Sequence, residues 1–371
     1  MNQPLDPDAI VIDTSIYIAN GLKLEKGLLG KLSQLKKSDV DFLIPDVVYG
    51  ELKTHLEQKI KSSHSALEKA INDAGDHLYF EVGATEAIKS LIPNKNDIEA
   101  LAEKRLKAFV EATGAEIFEC GQYVSVTSLL QKYFANHAPF SETGKKKSEF
   151  PDAIVLMAID SWASQEGFKV IAVTKDDDWK NYCEASDNLI CLDDLSEVLA
   201  ILNRKSAPEE FIERLETELN SGKAQSFLDG IGLQLKTALD GFTPDQEADS
   251  FLQWEPDGAE AWFKGFSLVS NELKVIESEE DYLVIEAIAS ITVEAEGDFS
   301  LSVHDSIDGD DVPMGGVTAN TTETFISPIL ITIYGDLYGK TSDLEVAEVE
   351  IVSPITTINF GTLEPDFGDY E

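Results

Sequence analysis

Carboxylates recur at element ends in this sequence. Asp13 closes the apolar run AIVID (9–13). Asp152 stands at the start of a helical stretch that runs to residue 166. Asp176, Asp177 and Asp178 follow the apolar run KVIAVT (169–174). In VVYGELKTHLEQKIKSS (47–63), Glu51 and His55 are four apart and share one helix face. Gathered carboxylates bind hard divalent cations, which prefer oxygen ligands, so His55 is a hydrogen-bonding neighbour rather than a ligand. Three successive aspartates repel one another unless solvated or neutralised by a cation. Each acid also has a structural reading: Asp13 as a helix cap, Glu51 as an ordinary helix residue, Asp152 as a partner of the helix dipole.

The elements that must position these residues are short. AIVID and KVIAVT lack polar alternation, which suits strands buried on both faces of a parallel sheet. VDFLI (40–44) and LICL (189–192) add two more strands. Ile154, Ala158 and Trp162 form one helical stripe, with Ala153 and Met157 beside it. The helix 152–166 is long enough for a right-handed crossover between parallel strands. In such sheets ligands sit beyond the carboxyl ends of strands at a switch point, where Asp13 and Asp176 would lie. Pro139, Gly144 and the run Lys145, Lys146, Lys147 mark a polar loop before Asp152. These lysines would either hold phosphate oxygens or be an ordinary loop run. There is no Walker A motif, no GxGxxG after a strand and no nucleophile elbow.

The chain has 371 residues and a formal net charge of -40. Residues 1–200 carry 21 Lys/Arg against 33 Asp/Glu, and residues 201–371 carry 8 against 36. That asymmetry marks two domains, and the acidic second half would screen polyanions from the first. Three divisions follow: an α/β domain over 1–203, a helical connector over 204–258 with a linker at 243–250, and an acidic β-rich domain over 259–371. In the connector, Phe227, Ile231, Leu235 and Leu239 form an i+4 stripe that must be buried. Alternation such as Ile291, Val293 and Ala295 against Ser290, Thr292, Glu294 and Glu296 predicts an antiparallel sheet with an acidic outer face. DSIDGDD (305–311) reads as an acidic turn, and the tail LEPDFGDYE (363–371) as frayed. No apolar run approaches the roughly 18–20 residues that span a bilayer, and the N-terminus lacks a secretory pattern. Three widely spaced cysteines fit reduced thiols in a cytoplasmic protein.

Taken in order, strand-Asp13-Thr14-Ser15, helix-Glu51, Asp152 and strand-Thr174-Lys175-Asp176-Asp177-Asp178-Trp179 resemble the PIN-domain nucleases. The resemblance is to a bacterial PIN-like group with a Glu-x-x-x-His helix (Glu51 to His55) and a KKK-x-x-Phe-Pro-Asp-Ala segment (Lys145 to Ala153). It covers about residues 8–200. It implies an α/β, Rossmann-like PIN domain with a mainly parallel sheet, and Mg²⁺- or Mn²⁺-dependent cleavage of RNA, usually single-stranded. It maps an acidic quartet onto Asp13, Glu51, Asp152 and Asp176, with Asp178 as an accessory carboxylate. Where the family's third motif commonly reads Thr-Asn-Asp-x-Asp-Phe, this chain has Lys175 for the Asn and Trp179 for the Phe.

Hydrolysing a phosphodiester requires an activated water and a stabilised leaving oxyanion, which clustered carboxylates supply through one or two cations. Thr14, Ser15, His55, Lys145, Lys146, Lys147 and Lys175 are then the expected contacts to RNA. A role in stress response or phage defence, and an inhibitor or a second copy as partner, fit the same picture, with no membrane partner. Two other readings stay open. One is a catalytically silent PIN-like protein that binds RNA or acts as a scaffold. The other is a phosphotransfer receiver-type domain, whose chemistry has no need of Glu51 or Asp152.

Overall fold

A computed structural model describes residues 5–78, 83–140, 150–204, 208–304, 310–337 and 339–364. Two compact units divide the chain, Met1–Leu202 and Asn203–Glu371. Lys145, Lys146 and Lys147, most of the acidic turn at 305–311 and the tail beyond Glu364 lie outside the described residues.

The first unit runs β1 (Ala9–Ile12), α1 (Thr14–Ala19), α2 (Gly27–Lys31), β2 (Asp41–Pro45), α3 (Asp46–His77), α4 (Ala84–Ser90), α5 (Ile98–Thr113), β3 (Glu116–Phe118), α6 (Val126–Ala135), α7 (Phe150–Glu166), β4 (Val170–Val173), α8 (Asp177–Glu184), β5 (Leu189–Leu192) and α9 (Leu195–Asn203). Its five strands form one sheet in the order β3-β2-β1-β4-β5, and every pairing is parallel. All four residues of β1 and all four of β4 are buried, as unalternating apolar runs require. From β1 the chain winds outward through β2 to β3. It returns to the other side of β1 for β4 and continues to β5. The order therefore reverses between β1 and β4, which opens a crevice at their carboxyl ends.

Burial on α7 is broader than a single stripe. Ala153, Val155, Leu156, Ala158, Ile159 and Ala163 are all buried. Ala153 also joins Leu129 and Phe140 in a small second cluster, with Ile154 and Met157 packed against it, so the helix has apolar neighbours on two sides. All three cysteines are free, and Cys183 of α8 meets Cys191 of β5 at 2.6 Å between sulfurs.

The second unit begins with α10 (Glu209–Asn220) and α11 (Gln225–Leu239). Among the described residues seven strands follow: β6 (Asp245–Asp249), β7 (Gln253–Leu268), β8 (Lys274–Ser278), β9 (Tyr282–His304), β10 (Asp311–Tyr334), β11 (Glu345–Ile351) and β12 (Thr357–Thr362). β11-β10-β9-β7 are antiparallel neighbours, and β8 also pairs with β9. Along β9, Ile291, Val293 and Ala295 are buried, while Glu294 and Glu296 are exposed.

Two expectations need correction here. Residues 204–258 are not a separate connector, because Phe227, Ile231, Leu235 and Leu239 of α11 share one hydrophobic core with the strands. The segment 243–250 is not a linker either. It contains β6, which pairs in parallel with β12 outside the antiparallel sheet. Its acidic sequence DQEAD hides a strand held through backbone pairing.

Candidate active site

Asp13 follows β1 directly, and its backbone N–H donates to the Val173 carbonyl of β4 at 2.9 Å, so the two strand ends stay in register. Asp13 is 6% exposed as a residue, and both hydroxyl donors fall on its Oδ2. Ser15 donates from the first turn of α1. Thr174 donates at 2.8 Å from the end of β4, and the same Thr174 oxygen accepts from the Asp176 N–H at 2.9 Å. Thr174 therefore stitches Asp13 to Asp176 across the switch point.

Glu51 comes from the second turn of α3. Its Oε2 accepts from the Thr14 hydroxyl at 2.6 Å. His55 lies one turn further along and is half-buried. Asp152 stands in the first turn of α7, and its Oδ1 accepts from the Trp179 indole N–H at 2.8 Å. Asp176 caps α8, with Oδ1 accepting from the Asp178 N–H at 2.7 Å. Asp176, Asp177 and Lys175 are exposed, and Asp178 is half-buried.

The expectation that Thr14 and Ser15 contact phosphate meets a conflict. A hydroxyl has one proton to donate, and each spends it on a carboxylate. Thr14 is hydrogen-bonded to Glu51 and Ser15 to Asp13. Sequence reading also missed Thr174 and Trp179 as parts of the site. Both lie inside the motif that carries Asp176, but their partners are distant in sequence.

The electrostatics tie the four carboxylates together. Burial pushes the Asp152 carboxyl up to about 6. The Trp179 hydrogen bond opposes that rise, while the charges of Asp13, Asp176 and Glu51 add to it. Burial also raises Asp13. The donors on Ser15 and Thr174 draw it back, and Asp176 pushes it further up. Among the described residues the hydrogen-bond donors on these acids are neutral. Among the described residues none of the four acids forms an ion pair, and Lys53, two residues beyond Glu51, is committed to Glu99 at 2.8 Å.

Glu51, Asp152 and Asp176 each bind their donor through one oxygen. Oε1, Oδ2 and Oδ2 respectively carry no hydrogen bond among the described residues. An all-oxygen, uncompensated donor set fits a hard divalent cation. Among the described residues, no three acidic, His or Cys side chains converge into a ready-made ion cage. Mg²⁺, which keeps several waters and takes one or two carboxylates, needs no such cage.

A pH dependence follows from Asp152. Its folded-state value, about 6, lies above the ordinary 3.8. Between those values the folded state holds the extra proton, so the associated stability is present at acid pH and is lost as pH rises through about 6. In metal-free protein, Asp152→Asn should therefore stabilise the fold at pH 7.5 by roughly 1–3 kcal/mol, after allowance for partial solvent screening. The gain should shrink toward pH 4. Thermal melts of the two proteins across this range check it, and a pH-independent difference would contradict it.

Residues 10–179 match a protein-family model described as a PIN domain. No curated protein and no solved structure matches the chain.

Proposed function

Residues 10–179 form a PIN domain, and from that premise we propose that the chain is a Mg²⁺- or Mn²⁺-dependent endoribonuclease acting on single-stranded RNA. PIN domains are generally nucleases. The observation that carries the finer reading is the coupling of Asp13, Glu51 and Asp176 to Asp152 at the sheet's switch point, with only neutral hydrogen-bond donors on the four acids among the described residues.

Asp13, Glu51, Asp152 and Asp176 would hold the cation. When bound, it supplies an activated water and stabilises the leaving oxyanion. The protein's own side chains do the positioning. Thr14 holds Glu51, Thr174 holds Asp13, and the α8 backbone holds Asp176. Asp178, in the first turn of α8, is the accessory carboxylate. Exposed Lys175, beside Asp176, offers a cation to a phosphate of the substrate. A net charge of -40 repels RNA at long range, but a bound divalent ion offsets part of the carboxylates' charge and presents a positive centre to a phosphate oxygen.

A silent RNA-binding protein is the second reading, and one observation favours it: the acids do not form a closed cage among the described residues. An end-labelled pool of single-stranded RNA incubated with Mn²⁺ separates the two. The nuclease reading expects new, shorter fragments that a chelator abolishes. RNA retained on the protein at full length, with no new ends, supports the silent reading instead. No described helix is long and apolar enough to cross a membrane.

A further inference from the structure

We propose that Trp179 is a positioning residue of the cation site, acting through its indole N–H to fix Asp152 in its working orientation. This rests on the quartet reading above and adds to it a residue outside the quartet.

A fully buried indole must place its single N–H on an acceptor. Trp179 is 1% exposed, and its N–H donates to Asp152 Oδ1 at 2.8 Å. A donor to a carboxylate makes one of the stronger hydrogen bonds. The side chains next to Asp152 offer it no donor. Pro151 has no N–H, and the side chains of Ala153, Ile154 and Val155 carry no donor. Asp13 and Glu51, by contrast, each receive a hydroxyl from the Thr14-Ser15 pair.

The anchor is rigid at both ends. Trp179 is locked by burial on α8, three residues beyond Asp176, which caps the same helix. Asp152 sits on α7, on the other side of β4 in the chain. One hydrogen bond thus fixes the spacing between the carriers of two acids. It holds Oδ1 and leaves Oδ2 for the cation. A phenylalanine here would fill space but donate nothing, so the indole is a device of this chain.

The test uses full-length protein. Trp179→Phe should weaken Mn²⁺ affinity by about tenfold, the scale seen when a hydrogen-bond partner of a metal ligand is removed, as read by calorimetry. Near-ultraviolet circular dichroism establishes that the variant is folded. A second readout needs no substitution at Trp179. The chain has four tryptophans, and the indole N–H signal of Trp179 in the wild-type NMR spectrum should move on adding Mg²⁺ and on Asp152→Asn. A folded Trp179→Phe that binds Mn²⁺ as tightly as wild type overturns the proposal and leaves the quartet standing. An indole signal indifferent to both Mg²⁺ and Asp152→Asn overturns it in the same way. Wild-type protein that takes up no Mn²⁺ at all overturns the quartet reading itself.

Discussion

Asp13→Asn should lower the rate of RNA cleavage roughly a thousandfold, equivalent to about 4 kcal/mol of transition-state stabilisation. Asp13 is the most enclosed of the four acids and stands where the strand order reverses. An asparagine keeps an oxygen for the Ser15 and Thr174 hydroxyls but removes the charge. Burial already disfavours that charge in the metal-free fold, so losing it should not cost stability. The check is a single-turnover cleavage rate measured beside a thermal melt. A variant that melts like wild type and cuts a thousandfold more slowly bears out the role. One that melts normally and cuts at the wild-type rate removes Asp13 from the chemistry.

Trp179→Ala should cost about 3–5 kcal/mol of stability, the usual range for emptying a large aromatic site. Trp179 is among the largest fully buried side chains of the chain. Its removal leaves a cavity under α8 and strips Asp152 of its donor. The expected result is a clear drop in the urea midpoint of the full-length chain, together with loss of cleavage. Trp179→Phe, which keeps most of the volume, should retain most of the midpoint. An unchanged midpoint in the alanine variant would mean that the packing around the indole contributes little.

Much of the fold could be read from residue pattern. AIVI and VIAV are buried on both faces because nothing polar interrupts them. The α11 stripe is buried because an i+4 apolar row needs a partner surface. The alternation in β9 matches its burial from Ala289 to Leu301, whereas Leu283 to Ala287 are buried without a break. Patterns failed where the apolar signal is weak. DQEAD carries one apolar residue, Ala248, which packs against the core while the strand pairs with β12.

The candidate acids could also be listed from sequence, Asp13, Asp152 and Asp176 because they fall at element ends and Glu51 because it shares a helix face with His55. What supports them could not. Trp179 and Asp152 are 27 residues apart, Thr174 and Asp13 are 161 apart, and only the parallel sheet brings them together. Thr14 and Ser15 looked like phosphate contacts because their hydroxyls border Asp13. Only the fold reveals that their protons go to Glu51 and Asp13.

The central claim is that these four carboxylates form one metal-dependent hydrolytic site. It is tested most directly by titrating Mg²⁺ or Mn²⁺ into wild type and Asp152→Asn in the presence of a single-stranded RNA pool and counting new RNA ends. The account predicts wild-type cleavage that rises with metal and stops with chelator, and almost none from Asp152→Asn. Equal cleavage by the two proteins with either metal would contradict it.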